Sequence, residues 1–305
     1  MSYKHIQELF DSIDFEKSSK NIKLVLCAAA DLHSLEAVFR ARDAKLVTPI
    51  LVGEKEVIEQ ICSKHNFSLE GVEIYDVIEQ SEMVKTSVKL VHDGKAHLLM
   101  KGKLSSSKIL SGVLNKEWGI SKNKMISHLS LFDLPEYHKL LALTDVAMNI
   151  APDLQDKIKI INNSVEFLEK LDIINPKIAA IAAIEGVNEK MQATLDAALL
   201  SIMNRRGQIK KCIIDGPLAF DNAINTESKE QKGIQSDVAG DADLLLVPDI
   251  EAGNVLYKAF VFFAKAKVAA VVLGAQAPIV LTSRADSQET KFNSIALAVV
   301  ALQNS

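Results

Sequence analysis

Short aliphatic runs alternate with helical patterns along almost the whole chain, and this alternation limits the possible folds more than any other feature. The runs "IKLVLCAAA", "VTPILVG", "VEIYDV", "HLLMK", "KMISHLSLF", "KIAAIAAI", "IKKCIID", "DLLLVP" and "KVAAVVLG" have the length and apolar content of strands. Between them, stretches such as "HSLEAVFRARDAK", "EMVKTSVKLVHDG" and "MQATLDAALLSIMNRRG" repeat apolar residues three and four apart, the period of a helix with one covered face. The pattern predicts an α/β fold with a largely parallel, doubly wound sheet. A chain of 305 residues exceeds one simple α/β layer, so two such domains are expected.

The segment "LTDVAMNIAPDLQDK" has the character of a junction: Pro152 ends an apolar run, and Asp153 is placed to cap the helix that follows. The boundary is therefore expected near residue 150. Domain I is then 1–150, joined by a C-terminal helix in 283–305, and domain II is 151–282. The most polar stretch, "NTESKEQKGIQSDVAGDAD", reads as a surface excursion able to fold over a site.

Hydrophobic residues at 48% and charged residues at 24% are the balance of a globular chain, not a disordered or membrane one. A net charge of -4 offers no general attraction to nucleic acid or anionic lipid. The first twenty residues mix acidic with apolar ones and do not read as a signal peptide, and no run approaches the roughly 18 apolar residues that would span a bilayer. Cys27, Cys62 and Cys212 are far apart in apolar contexts, which suits reduced core thiols in a cytoplasmic protein.

Ligands of open α/β sheets bind beyond the carboxyl ends of the strands, and three strand ends carry unusual residues. In "LLMKGKLSSSKIL", Lys101, Gly102 and Lys103 precede serines, Ser105 among them, that can open a helix; ammonium groups and helix N–H groups together would cradle a phosphate. In "LLLVPDIEAGNVLYKAF", Asp249 precedes a helix with Gly253 and Asn254 in its first turn and Tyr257 and Lys258 one turn on. Glycine there costs helix stability by roughly 1 kcal/mol against alanine, which suggests close approach of something to the backbone. In "PIVLTSRADSQETKFNSIALAVVAL", Asp286 and Glu289 have the spacing of a capping box, and Phe292, Ile295, Val299 and Leu302 mark one apolar face of the helix. Ser283 and Arg284 lie before that cap, where a guanidinium would suit a phosphate or carboxylate.

Nucleotide fingerprints, H-E-x-x-H and paired C-x-x-C are absent, and the seven histidines are scattered. Asp237, Asp241 and Asp243 are numerous enough for a divalent ion, but "SDVAGDADLL" reads more simply as a turn before a strand. No metal site is expected.

These stretches, with "AAADLHSLEAV", "SHLSLF", "IDGPLAFDNAI" and "AGDADLLLVPDIEAGNVLYK", resemble the phosphate acetyl/butyryl transferase family over nearly the whole chain, most closely its phosphate butyryltransferase branch. The resemblance implies two α/β domains with a cleft between them, related to isocitrate and isopropylmalate dehydrogenases, in an oligomer built on a dimer. It implies reversible transfer of a butanoyl or similar short or branched acyl group from coenzyme A to inorganic phosphate by direct attack in a ternary complex, with no cofactor and no acyl-enzyme. Ser283 and Arg284 match the family's terminal Ser-Arg, whose roles are to hold thioester and phosphate, and Asp215 and Gly216 match its acidic DG turn. Where the acetyl branch carries an aspartate as the base for the thiol, this chain has Thr290, which leaves the neighbouring Glu289, or Asp286, as the candidate. The butyryl branch tends to carry arginine at the position of Ser121, so Lys101 or Lys103 is the candidate for that anion contact. Phosphate acetyltransferase is the nearest alternative; an isocitrate-dehydrogenase-like oxidoreductase and a non-catalytic CoA-binding protein are the others.

Overall fold

A computed structural model describes residues 3–14, 22–121, 125–282 and 286–304. Ser283 and Arg284 lie outside the described residues. The fold is mixed α/β, and internal contacts divide the chain into two compact units. Unit I combines Phe10–Lys124 with Ala269–Ser305, and unit II combines Met1–Leu9 with Met125–Val268.

Unit I holds β1 (Lys23–Cys27), β2 (Thr48–Gly53), β3 (Glu73–Asp76), β4 (Leu98–Lys101), all but the first two residues of β10 (Lys267–Leu273), and β11 (Ile279–Val280), in the order β3-β2-β1-β4-β11-β10. The β1–β2, β2–β3, β1–β4 and β4–β11 pairs are parallel. Leu24, Val25, Leu26 and Cys27 have no exposed surface, so β1 is an unbroken apolar run, not an alternating one, as a strand covered on both faces must be. The covering helices include α2 (Leu32–Asp43), α3 (Lys55–Lys64), α4 (Gln80–His92), α5 (Ser106–Val113) and α11 (Gln288–Gln303).

Two expectations for α11 are corrected. Its cap is Ser287, whose hydroxyl accepts from the Thr290 amide at 3.1 Å, not an Asp286–Glu289 capping box. The helix is also buried on more than one apolar face, because it packs against both α2 and β11. Residues Asn293 to Ala301 are all buried, and Ser294 in their midst satisfies its hydroxyl by donating to the Thr290 carbonyl and accepting from the Ala270 amide.

Unit II holds β5 (Ser127–Asp133), β6 (Leu141–Thr144), β7 (Lys177–Ile181), β8 (Ile213–Leu218) and β9 (Leu244–Leu246), in the order β5-β6-β9-β7-β8. Its helices include α6 (Leu154–Glu169), α7 (Gln192–Arg205), α8 (Phe220–Ile224), α9 (Thr226–Gln231) and α10 (Ile250–Phe262), while α1 (Ile6–Asp11) lies near the N-terminus. β5 and β6 pair with each other and β6 pairs with β9, so these strands go with residues after 150, and the contact division runs between Lys124 and Met125. The β5–β6 and β10–β11 pairs are antiparallel, which a short connection between neighbouring strands requires.

The acids in the turn before β9 are accounted for by ion pairs. Asp241 pairs with Lys139, Lys177 and His138 at 2.8, 2.6 and 2.8 Å, and Asp243 pairs with Lys139 at 2.6 Å. Burial alone would raise the Asp241 carboxyl, but the hydrogen bonds from Lys139, Lys177 and His138 outweigh it and hold the group well below the ordinary carboxylate range.

Candidate functional site

In unit I the carboxyl ends of β1 and β4 are stitched together by their own backbones. Gly102 donates to the Cys27 carbonyl at 2.7 Å, and Lys103 donates to the Ala28 carbonyl at 2.9 Å. A Cβ on Gly102 would lie 2.3 Å from the Ala28 oxygen, so only glycine allows this approach. The Lys101 side chain is buried, and its ammonium donates to the carbonyls of Gly102 and Leu104 at 3.3 and 3.2 Å. Lys101 thereby braces the loop that carries Lys103 and Ser105. Lys103 is exposed, and Ser105 caps α5, accepting from the Lys108 amide.

The start of α11 supplies further polar groups at this end of unit I. Glu289 is exposed in the first turn, whereas Thr290 is 8% exposed, with its hydroxyl 3.0 Å from that of Ser287. Lys291, not singled out from the sequence, is buried, and its ammonium donates to the Asp286 carbonyl at 2.8 Å. Burial lowers its pKa, against the opposing pull of the Asp286 and Asp31 carboxylates. Asp31 caps α2 by accepting from the Ser34 amide at 3.0 Å.

In unit II a buried polar cluster sits at the end of β6. Asp145, 2% exposed, accepts from the amides of Ala147 and Met148, both at 3.0 Å, and from the Asn149 side chain at 2.6 Å. His128 on the neighbouring strand is buried, which lowers its pKa while Asp145 pulls the other way. The Thr144 hydroxyl donates to the His128 carbonyl, tying the two strands at this point. The sequence signal for this cluster was present in "SHLS": polar residues inside an otherwise aliphatic strand.

The candidates on α10 and β8 divide by what they touch. Asp249 is the N-cap of α10 and accepts from the Ala252 amide at 2.8 Å. The approach that Gly253 permits is by the chain itself, since a Cβ there would lie 2.7 Å from the Asp145 carbonyl oxygen and 3.0 Å from the Val146 Cα. Asn254 is half-buried and Lys258 exposed on the same helix. Asp215 is half-buried in β8 and accepts from the Gly216 amide, and a Cβ at Gly216 would lie 2.7 Å from the Ala180 carbonyl oxygen. Lys101, Lys103, Ser105 and Glu289 thus belong to unit I, and Asp215, Gly216, Asp249, Gly253, Asn254 and Lys258 to unit II.

The three thiols are free and buried, and burial pushes Cys27 and Cys212 up to about 11, far from a reactive thiolate at neutral pH. Among the described residues no group of three or more His, Cys, Asp or Glu is placed to hold a metal ion, and no helix is long and apolar enough to cross a membrane. What these ends of the units offer is cationic and N–H donors beside carboxylates, a set suited to anionic substrates and proton transfer.

Comparison with known proteins agrees with that chemistry. Residues 80–299 match the family model described as "Phosphate acetyl/butaryl transferase". A phosphate butyryltransferase of Clostridium beijerinckii is 44% identical over 302 residues, covering 99% of each chain. A phosphate acetyltransferase of Thermotoga maritima is 43% identical over 281 residues, covering 92% of this chain and 95% of the relative. Among solved structures, a branched-chain phosphotransacylase from Enterococcus faecalis V583 superposes with a TM-score of 0.83 at 30% identity, over 92% of this chain and 99% of that one.

Proposed function

The chain belongs to the phosphate acetyl/butyryl transferase family, and we propose that it transfers a butanoyl or similar short or branched acyl group reversibly between coenzyme A and inorganic phosphate, giving acyl phosphate and CoA. The observation that carries this reading is similarity to a phosphate butyryltransferase at 44% identity from end to end. The chain is an enzyme, an acyltransferase, and CoA and phosphate are its substrates, with no resident cofactor invoked.

The reaction asks for two anions to share a site and for a phosphate oxygen to approach the thioester carbonyl carbon from above its plane. Arg284 and Lys103 supply positive charge, and the N-terminus of α11 adds its partial charge. Ser283 or a backbone N–H stabilises the oxyanion as the carbon–oxygen bond forms. The carbon–sulfur bond then breaks, and the CoA thiolate leaves without obligatory protonation, since a thiol pKa of about 8.5 makes it a competent leaving group. In the reverse direction Glu289 serves as base for the thiol. Its exposure in the first turn of α11 supports that role, whereas the Thr290 hydroxyl is engaged with Ser287. Asp215, Asp249, Asn254 and Lys258 belong to the substrate-binding set of the same proposal, with Lys101 bracing the loop that presents Lys103.

Similarity to a phosphate acetyltransferase at 43% identity favours acetyl transfer as the second reading. Phosphate-dependent release of free thiol from acetyl-, butanoyl- and 2-methylpropanoyl-CoA tests both. The largest kcat/KM with a four-carbon acyl group is expected; a preference for acetyl would exchange the two readings, and release independent of phosphate would remove both.

We place the enzyme in the cytoplasm as a homo-oligomer built on a dimer. The outward apolar side chains of α10 and the residue after it, Val255 at 68%, Phe262 at 58% and Phe263 at 89% exposure, support self-association.

A further inference from the structure

Unit II contains a cavity of about 670 Å³ whose wall includes Asp249 of the proposed substrate-binding set, with its other polar groups so far without a functional role. It lies beyond the carboxyl ends of parallel strands, where ligands of such sheets bind, and its size is within the ordinary range of small-molecule sites. The N-termini of α6, α7 and α10 contribute Asp153, Gln192 and Asp249, and Pro152, Leu199 and Pro248 form much of the apolar wall.

The Lys157–Asp196 ion pair lines this cavity and the small void that it shares with Val247 and Leu200. Both side chains are 5% exposed and 2.5 Å apart. Gln192 donates to the second oxygen of Asp196 at 2.8 Å, so that carboxylate is held on both sides. Lys157 is not so fully engaged. Among the described residues its ammonium donates to Asp196 alone, which leaves two of three N–H groups without a protein acceptor although the side chain is buried. Such donors are costly to leave unmet, and a ligand bearing acceptor oxygens would meet them.

The charges on the wall decide what kind of ligand. Asp153 and Asp249 each spend one oxygen on a helix cap, receiving the Asp156 and Ala252 amides at 2.8 Å, and keep the other for a donor. With Asp196 they set three carboxylates against one ammonium, which repels a phosphate or a free carboxylate. A cationic ligand would offer nothing to the N–H groups of Lys157. A neutral chain with carbonyl acceptors, N–H or O–H donors and aliphatic segments satisfies the ammonium, the spare carboxylate oxygens and the apolar wall together.

We propose that this cavity is a binding site for a neutral, amide-bearing aliphatic chain, and that the pantetheine arm of CoA is its occupant. The identity of the occupant rests on the acyl-CoA reading above; the class of ligand rests on the cavity alone. It also assigns a role to "APDLQDK", the end of a stretch that resembles the family but holds no candidate residue of its own.

The test is calorimetric binding of CoA, of pantetheine and of adenosine 3′,5′-bisphosphate to the full chain in phosphate-free buffer. Leu199→Trp fills the cavity from its half-exposed rim, and a Lys157→Met/Asp196→Leu double variant removes both charges together, a replacement that buried pairs often tolerate. Weakening of CoA and pantetheine by about tenfold or more in both variants, with the bisphosphate unaffected, is expected. Unchanged CoA and pantetheine affinity in Leu199→Trp, with an unaltered circular dichroism spectrum, overturns the site even if thiol release is normal. If wild type shows no affinity for CoA and no thiol release, the acyl-CoA reading falls. The cavity then stands only if pantetheine still binds wild type and not Leu199→Trp.

Discussion

Gly253→Ala separates two explanations of why a helix begins with a glycine in its first turn. If that glycine served only the approach of a ligand, alanine would raise stability by roughly 0.5–1 kcal/mol through helix propensity. The packing of α10 predicts the opposite sign. The added Cβ would stand 2.7 Å from the Asp145 carbonyl oxygen, 2.9 Å from Val247 Cγ2 and 3.0 Å from Val146 Cα. Two of those atoms are backbone, and they belong to a loop pinned by the three hydrogen bonds that Asp145 accepts. Restoring ordinary contact with the Asp145 oxygen, from 2.7 to 3.4 Å, needs a shift of about 0.7 Å in the helix or the loop, and overpacking of that kind costs about 1–3 kcal/mol. Subtracting the propensity gain leaves a net loss on the order of 1 kcal/mol. Urea unfolding followed by circular dichroism measures it, with Ala252→Gly on the exposed side of the same turn as the propensity-only control. A Gly253→Ala protein more stable than wild type would refute the packing account.

Three further outcomes are expected. Arg284→Ala is expected to lower turnover by roughly 10²-fold and to weaken phosphate saturation, as loss of one preorganised charge donor does; wild-type phosphate kinetics would remove Arg284 from the site. A variant lacking Cys27, Cys62 and Cys212 together is expected to keep releasing CoA from butanoyl-CoA, since burial holds these thiols protonated; loss of activity in a folded triple variant would point to a thioester intermediate. Asp241→Asn is expected to be less stable than wild type at pH 7. Because the folded carboxyl is held below its ordinary value, that difference is fully present above about pH 4, near the unfolded carboxyl pKa, and closes as pH falls through the depressed folded value. A difference unchanged between pH 7 and pH 2.5 in urea midpoints would mean the ion pairs are not its source.

Alternation of apolar runs with helical periods located most strands, because a strand buried on both faces must be aliphatic throughout, as β1 and β10 are. It did not reveal β6. "LALT" has strand composition but is only four residues long, and it lies beside the Asp145–Pro152 loop, whose proline and polar residues read as a junction. Strand direction was equally hidden: composition is the same for a parallel or antiparallel neighbour, and only the short connections around β5–β6 and β10–β11 impose the hairpin arrangement. The environment of α11 shows the same limit, since periodicity marks the most apolar face and says nothing about a second element that covers the others.

The candidate site was legible as residue types at strand ends and illegible as roles, and the two lysines of unit I show why. Lys101 and Lys103 are equivalent in sequence terms, flanking one glycine after one strand. Yet the glycine draws the loop against Ala28, which turns Lys101 inward onto two carbonyls and leaves Lys103 exposed. Thr290 and Glu289 differ in the same way. Capping by Ser287 faces position 290 into the protein, and a hydroxyl bonded there has neither the pKa nor the freedom to take a proton from a thiol. An aspartate at that position would be a buried carboxylate, whereas Glu289 reaches solvent. The cap of α11 is Ser287, and in the proposed mechanism the base is Glu289, two residues on. A Thr290→Asp variant, if its new carboxylate were catalytically competent, would make Glu289 dispensable for acyl phosphate-dependent consumption of CoA thiol, while Glu289→Gln alone would slow it.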